Sequence, residues 1–266
     1  MIHSYFYMNN VELMQMELFN RTKKEWKPIG DGQEAFVFSS PCFELYHLGD
    51  VIKLDSEINI ACRVTNWNFD KKLESFQDSY RTFFKNILIN IIEDNLGEHS
   101  VKHIPKPLGL LFTDHISAHN YLFVDGAEGW PAQYYDEEQS NWYSTKFKEW
   151  KEFSELFNSF GLSVQSDIGD PNSASVGKNI IYKYTTPVDG IYDGVLSENW
   201  KRIDFGTVSC PLNTDKLYLR SQDSSLSEKL GKDYDMFKLC VDYLQRLDLP
   251  SNKLMKKGTE YIYGLL

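Results

Sequence analysis

Asp204 is the residue whose type and position most directly suggest metal chemistry. It lies in Trp-Lys-Arg-Ile-Asp-Phe-Gly, residues 200–206, after an apolar strand and before a tight Phe-Gly turn. A carboxylate there can bind Mg²⁺ between the phosphates of a nucleotide and neutralise the charge that develops as the terminal group leaves. A second oxygen ligand is expected from an upstream amide, either Asn172 or Asn179. Asn179 is preferred because it directly enters the predicted strand 180–182, which would fix its position.

Asp167 is the candidate general base. It lies in the loop Ser-Asp-Ile-Gly-Asp-Pro-Asn that begins at Ser166. A carboxylate in such a loop can orient an acceptor hydroxyl and accept its proton as a phosphoryl group is transferred. The sequence contains no Gly-x-Ser-x-Gly segment, and its six histidines form no nucleophile–base pattern. A hydrolase that depends on a Ser or Cys nucleophile therefore has no support.

A glycine-rich hairpin upstream is a candidate phosphate-binding loop. In Ile-Gly-Asp-Gly-Gln-Glu-Ala-Phe-Val-Phe, which starts at Ile29, Gly30 and Gly32 would let backbone N–H groups approach phosphates closely. Ala35 supplies a third small residue, and the pattern predicts two strands joined by this turn.

Lys53 follows the hairpin on the predicted strand Val-Ile-Lys, where an ammonium group could contact the α- and β-phosphates. Such a lysine needs a carboxylate to hold it, and Glu57 and Glu74 are both candidates. Glu74 is favoured because it lies one turn inside the long helix that comes next.

The elements that must position these residues can be predicted from apolar spacing and from Gly and Pro breaks. The residues 69–96 have apolar side chains at alternating steps of four and three, followed by Gly97 as a helix cap. The other predicted elements are a short helix over 9–21, three strands within 27–55, strands at 108–112 and 121–124, a helix over 146–160, a strand pair at 180–184 and 200–203, and a helix over 227–247.

In this order, the motifs resemble those of the protein kinase-like superfamily, which includes protein kinases and aminoglycoside-type phosphotransferases. The resemblance implies an α+β, bilobal fold in which a five-stranded antiparallel sheet and one helix form the first lobe and helices form most of the second. It divides the chain into a helical extension (1–26), an N-lobe (27–126) and a C-lobe (127–266). ATP and Mg²⁺ would be the cofactors, and the adenine would bind backbone groups between Val124 and Ala127.

The resemblance leaves the acceptor open. Ile-Asp-Phe-Gly resembles protein kinases, whereas the loop after Ser166 resembles small-molecule phosphotransferases. A hydroxyl of a protein Ser or Thr is favoured over a small molecule, and a non-catalytic binding module or an AMP-transferring relative are further alternatives. Ser166 and Gly169 replace an arginine and a lysine of many protein kinases, so regulation by loop phosphorylation is not expected. No Ala-Pro-Glu follows Gly206, so the resemblance implies a reduced or replaced peptide-docking part of the C-lobe.

Composition narrows the class of partner. The net charge of −10 argues against nucleic acid and anionic membranes as partners, since both need clustered Lys and Arg. The four cysteines form no Cys-x-x-Cys pair, so no disulfide framework or zinc site is expected. The first residues carry no signal-peptide pattern. The protein is expected in the cytoplasm, or as an effector delivered without a cleavable signal, and its oligomeric state stays open.

Overall fold

The protein was analysed as a computed structural model, which describes residues 6–10, 27–31, 35–47, 50–65, 72–98, 102–113, 121–125, 130–131, 137–164, 179–184, 195–203, 205 and 210–247. In these stretches the chain is α+β, with antiparallel strand pairing and several helices. This confirms the predicted class.

The larger sheet has six strands in the described part of the chain. All neighbours pair antiparallel except the first and fifth strands, which are parallel. The strands are β1 (Phe6–Asn10), β2 (Lys27–Asp31), β3 (Ala35–His47), β4 (Asp50–Thr65), β5 (Lys106–Thr113) and β6 (Tyr121–Asp125). Their spatial order is β1-β5-β6-β4-β3-β2.

Strand β1 differs from the sequence prediction. Asn9 and Asn10 were placed at the start of a helix, but they end a strand that pairs with β5 at Phe112 and Thr113. Pairing with a neighbouring strand outweighs the weak local helical pattern, because strand formation depends strongly on cross-strand context. The rest of the predicted helix, 11–21, lies outside the described residues.

Strands β3 and β4 form a hairpin much longer than the short apolar runs suggested. Their register runs from Ala35 opposite Thr65 to His47 opposite Asp50. It shifts between Ser40 and Cys42, at Pro41, which has no N–H to donate to the ladder. The Ser40 hydroxyl donates to the Cys42 carbonyl (2.7 Å) and accepts from its N–H (3.3 Å). The strand therefore continues past a proline that would otherwise be expected to end it.

Helix α1 (Lys72–Leu96) confirms the long helix predicted over 69–96. From Tyr80 to Glu93 nearly every side chain is buried, whichever way it points. The Gly97 N–H donates to the Glu93 carbonyl at 3.1 Å, and a Cβ at Gly97 would lie 2.6 Å from that oxygen. Gly97 therefore ends the helix as predicted.

The remaining helices follow after residue 136. They are α2 (Glu137–Phe160), α3 (Thr214–Ser221), α4 (Ser224–Leu230) and α5 (Tyr234–Leu247), with a 3₁₀ turn at Gly231–Asp233. The helix predicted over 227–247 is thus interrupted at Gly231, whose φ is 52°. Helix α3 was not predicted. Its N-cap is Asn213, whose side-chain oxygen accepts from the Lys216 N–H at 2.9 Å.

A smaller sheet contains three strands of the described chain: β7 (Trp130–Pro131), β8 (Ile180–Tyr184) and β9 (Val195–Arg202), in that spatial order. Strands β8 and β9 confirm the predicted pair, although β9 begins earlier and ends one residue before Ile203.

The chain forms two compact units, each assembled from separate stretches. The sheet unit comprises Met1–Ser79, Pro105–Pro131 and Ile181–Ile203. The helical unit comprises Tyr80–Ile104, Ala132–Ile180 and Asp204–Leu266. The division into lobes after residue 126 stays a prediction. No helix within the described residues is both long enough and apolar enough to cross a membrane.

Candidate functional site

The glycine-rich hairpin is formed by β2 and β3. Gly30 pairs with Val37 across the hairpin, at a register shift that follows Pro28. Ala35 is the first residue of β3 and pairs with Thr65. Gly32 lies outside the described residues. Gly30 and Ala35 therefore lie on the two paired strands of this hairpin, and their role in phosphate binding stays a prediction.

Arg63 is a cation in register with this hairpin. On β4, Arg63 pairs with Val37 on one side and with Leu122 of β6 on the other. Directly paired residues point to the same face of a sheet. Gly30, Val37 and Arg63 therefore form one row across three strands. Since strands lie about 4.8 Å apart, roughly 10 Å separates the Gly30 backbone from the Arg63 backbone.

A second row lies two residues further from the turn and on the same face. Ala61 pairs with Ser39 of β3 and with Val124 of β6. Ala61 and Ser39 are buried and Val124 is half-buried. Val124 is one end of the predicted adenine-binding segment. Ala127, the other end, lies outside the described residues.

The opposite face of β4 belongs to the core. Ile60, Cys62 and Val64 alternate with Ala61 and Arg63 and are at most 4% exposed. This alternation fixes the direction of the Arg63 side chain, because a slip of one residue would turn the core side chains outward. On the first face, the half-buried Arg63 lies in one row with Gly30, and the buried small residues Ala61 and Ser39 lie in the next row.

Lys53 lies elsewhere on the same strand. It pairs with Glu44, which is nine residues along β3 from Ala35 at the hairpin turn, or about 30 Å in an extended strand. Its side chain is 53% exposed, and its ammonium group is 3.4 Å from the Asp55 carboxylate. The charge of Asp55 raises the pKa of Lys53. The phosphate contact of Lys53 stays a prediction, but the register does not bring Lys53 to the hairpin.

Cys42 belongs to this distant group and is not a reactive thiol. Burial raises its pKa to about 11, and a hydrogen bond with Asp55 adds to the effect. The same hydrogen bond is the main cause that lowers the pKa of Asp55. At neutral pH Cys42 is therefore protonated and a poor nucleophile.

Of the other predicted catalytic and metal-binding residues, Asp167, Asn172 and Asp204 lie outside the described residues. Glu74 lies in the first turn of α1, and its side chain is likewise not described. Asn179 is half-buried in a turn directly before β8, as predicted, and the next residue, Ile180, is 2% exposed.

Both neighbours of Asp204 are held by local packing. On one side, the fully buried Arg202 donates from its guanidinium to the Ile203 carbonyl. On the other side, Phe205 is 3% exposed. The sequence analysis treated Arg202 only as part of the motif, and a buried arginine before the carboxylate gives no distinctive sequence signal.

The helical unit contains a buried acid–base group that the sequence analysis did not identify. The Glu93 carboxylate accepts N–H bonds from His103 (2.5 Å) and Ile104 (3.1 Å). Burial raises the pKa of Glu93 to about 7, although these two bonds and the Lys102 charge oppose the rise. His103 itself is buried, with Nε2 at 3.0 Å from Glu149.

A second buried contact ties α1 to the chain after Asp-Phe-Gly. The Lys85 ammonium, on a residue that is 1% exposed, donates to the Cys210 carbonyl at 2.7 Å. Cys210 is itself fully buried. The sequence does not indicate that a lysine within an apolar helical pattern is buried, so this contact could not be predicted.

Among the described residues, no three His, Cys, Asp or Glu side chains are grouped so that they could hold a metal ion. Two of the three predicted metal ligands lie outside those residues, so the predicted magnesium site stays a prediction. No protein-family model matches the chain, and no curated protein matches it.

Proposed function

We propose that the protein is an ATP- and Mg²⁺-dependent phosphotransferase of the protein kinase-like type that transfers the γ-phosphate to a hydroxyl, with a protein Ser or Thr favoured as acceptor. The observation that carries the proposal is the composition of one sheet face. Gly30, Val37 and Arg63 lie in one row, and Ala61 and Val124 lie in the next.

The spacing along the chain supports the same assignment. Gly30, Gly32, Ala35 and Val37 have the spacing of the kinase loop G-x-G-x-x-G-x-V, with alanine at the third small position. Ile60-Ala61-Cys62-Arg63 has the spacing of V-A-I-K, with arginine in place of lysine. Val37 and Arg63 are 26 positions apart in sequence, yet the register makes them direct neighbours.

The element order also supports a kinase-like N-lobe. Strands β2, β3 and β4, helix α1, and strands β5 and β6 follow one another in the chain. The five strands form a continuous antiparallel arrangement. This is the content that the resemblance implied for residues 27–126, with β1 added at one edge.

In this proposal, Arg63 takes the phosphate-binding role that the sequence analysis gave to Lys53. A guanidinium presents a planar fork that can bind two phosphate oxygens at once. Gly30 leaves the face free of side-chain bulk beside it. Ala61 and Val124 would contact the adenine, and backbone groups after Val124 would bind its edge. Glu74 remains the candidate carboxylate partner, now for Arg63.

Asp204 and Asn179 would hold Mg²⁺, with Asn172 as the alternative amide. Bound Mg²⁺ supplies positive charge to the β- and γ-phosphates. Asp167 would orient the acceptor hydroxyl and accept its proton. The role of Ile180 is to anchor Asn179, because a buried strand residue limits how far the preceding turn can move.

The test compares two cations on one strand. Arg63→Ala should weaken ATP binding by about 10- to 100-fold, because a charge-assisted hydrogen bond contributes roughly 1.5–3 kcal/mol. Lys53→Ala is the matched control and should bind ATP as the wild type does. Titration calorimetry gives both affinities, and magnesium-dependent turnover is measured in parallel. A loss of binding in Lys53→Ala with no change in Arg63→Ala would overturn the assignment of Arg63.

A small-molecule acceptor is the second candidate. The loop Ser-Asp-Ile-Gly-Asp-Pro-Asn and the charge of −10 favour a polycationic substrate such as an aminoglycoside. Incubation with labelled ATP and either a protein extract or a panel of amino-sugars separates the two. Mass spectrometry of the product then shows whether a phosphate or an AMP group has been added.

A further inference from the structure

Glu93, near the C-terminal end of α1, holds the short segment 102–104 that follows the helix. Its two carboxylate oxygens accept from different backbone groups: Oε1 from the His103 N–H (2.5 Å) and Oε2 from the Ile104 N–H (3.1 Å). Glu93, His103 and Ile104 are each at most 5% exposed. One side chain therefore binds two consecutive residues of the segment, and both bonds lie inside the protein.

The same segment contacts α2 through the His103 imidazole. Nε2 lies 3.0 Å from Oε1 of Glu149, and the ring packs edge-on against Phe153, with the ring centroids 5.7 Å apart. The contact to Glu149 is close but lacks the alignment of a hydrogen bond. It becomes an ion pair only when the imidazole carries a proton. The side chain of Glu149 is 26% exposed, so its carboxylate keeps some access to water.

Three more charged groups lie around this cluster in the described part of the chain: Asp94, Lys102 and Lys146. The Lys102 ammonium donates to the Glu93 carbonyl (3.0 Å) and lies 3.0 Å from the Asp94 carboxylate. The Lys146 ammonium lies 3.6 Å from Oε2 of Glu149. Burial is the largest cause that raises the pKa of Glu93 to about 7, and Asp94 adds to the rise, whereas Lys102 and the two N–H bonds oppose it. Desolvation therefore outweighs the bonds that favour the charged carboxylate.

We infer that Glu93 and the His103–Glu149 contact form a proton-operated latch, which holds segment 102–104 to α1 and α2 when protonated and releases it when deprotonated. In the released state the Glu93 carboxylate reaches water, where its charged form is stable. A proton on the imidazole adds attraction to Glu149, so both contacts favour the closed latch in their protonated forms. The segment ends the stretch Tyr80–Ile104 of the helical unit. The inference does not depend on the proposed phosphotransferase function.

Amide hydrogen exchange of His103 and Ile104 tests the latch, because these two N–H groups are the donors to Glu93. The closed latch binds the Glu93 proton more tightly than the open one, so opening becomes easier as the pH rises from about 4.5 to about 7. After correction for the intrinsic pH dependence of exchange, protection of both amides should fall by roughly 30- to 100-fold between pH 5 and pH 8. Low urea should not change it, because a local opening exposes little surface.

The Leu162 N–H, which donates to the Phe157 carbonyl at the end of α2, is the reference amide. Leu162 is fully buried and its bond involves no titratable side chain. If its exchange requires global unfolding, low urea should speed it. If the exchange of His103 and Ile104 followed urea in the same way as that of Leu162, or if their protection were the same at pH 5 and pH 8, the latch would be overturned.

Two variants separate the parts of the latch. Glu93→Gln does not titrate, so the protection of segment 102–104 should lose its excess pH dependence. Glu149→Gln should lower that protection several-fold at pH 5 and little at pH 8, since the lost attraction exists only with a protonated imidazole. Glu152→Gln on α2, 52% exposed and 3.7 Å from Lys148, is the control and should change neither. An unaltered pH dependence in folded Glu93→Gln contradicts the latch, and if no variant folds, the pH and urea series on the wild type decides.

Discussion

Glu93 shows how burial and hydrogen bonding compete at one carboxyl group. Its two N–H donors stabilise the charged form, but removal from water raises its pKa from 4.5 to about 7. The folded state therefore binds the proton more tightly than the unfolded chain does. Stability from this group is complete below about pH 4.5 and is lost as the pH rises through about 7.

The direction of this pKa shift can be tested through the pH dependence of stability. Wild type should lose roughly 2 kcal/mol of unfolding free energy between pH 5 and pH 8 that Glu93→Gln does not lose, since the amide does not titrate. Urea unfolding at both pH values measures the difference. Asp242→Asn is the control, because Asp242 lies at an exposed position of α5. Parallel pH profiles for wild type and Glu93→Gln would contradict the raised pKa.

Asn179 is the preferred amide ligand because a buried strand residue follows it directly. Asn179 directly precedes the buried Ile180 at the start of β8. If Asn179 is the amide ligand, Asn179→Ala should raise the Mg²⁺ concentration at half-maximal turnover by roughly tenfold or more. Asn172→Ala should change it little. Magnesium titrations of turnover compare the two variants, and a larger effect in Asn172→Ala would reverse the assignment and favour a small-molecule acceptor.

At the scale of elements, the C-terminal end of α2 has well-defined capping hydrogen bonds. Gly161 has φ of 89°, its N–H donates to Asn158, and the next N–H donates to Phe157. This is the Schellman arrangement, which favours glycine. A Cβ on Gly161 would lie 2.7 Å from the Asn213 carbonyl oxygen. The same oxygen belongs to the residue that caps α3, so it cannot move away freely.

Two glycines therefore make a matched pair of tests. Gly161→Ala should destabilise the protein by about 2–4 kcal/mol, from left-handed strain together with the clash against backbone. Gly231 also has a positive φ, but nothing lies within 4 Å of the position that a Cβ would take in Gly231→Ala. Its cost should be about 1–2 kcal/mol, from strain alone. Chemical unfolding measures both, and equal values would show that the Asn213 backbone gives way.

The elements that sequence predicted well are those fixed by local pattern. Helix α1 follows from its apolar spacing and from Gly97, and β8 follows from its short apolar run. The length of β3 and β4 could not be predicted, because Pro41 and the polar residues around it resemble a strand end. The long strands also bring Arg63 into register with Val37 of the hairpin, a pairing that the sequence did not indicate. The phosphate contact expected of Lys53 stays a prediction.

Other parts depend on distant pairing and leave no local pattern. Strand β1 pairs with β5, which lies about a hundred positions away, and the buried Lys85 donates to the distant Cys210 carbonyl. The predicted site therefore has a part that local sequence indicates and a part that only strand pairing reveals. Its spacing motifs were visible in the sequence, but the neighbours of each motif had to come from the register.

For the whole molecule, binding of nucleotide to the folded state should appear as a rise in melting temperature. ATP with Mg²⁺ at about a hundred times the dissociation constant adds roughly 2.7 kcal/mol, or about 5 °C or more for a chain of this size. Asp204→Ala should remove the part that depends on Mg²⁺. Asp242→Ala, at an exposed position of α5, is the control. An unchanged melting curve at millimolar nucleotide in the wild type would count against the proposed site.

The interleaving of the two units has a consequence for synthesis on the ribosome. Lys85 leaves the exit tunnel 125 positions ahead of Cys210, whose carbonyl accepts its hydrogen bond. At translation rates of about 5–20 residues per second, this delay is on the order of ten seconds. During that time α1 carries Ile87, Leu88 and Ile92 with no completed helical unit to cover them. A nascent chain in this state is a natural client for chaperones, and slow codons between the two positions would lengthen its exposure.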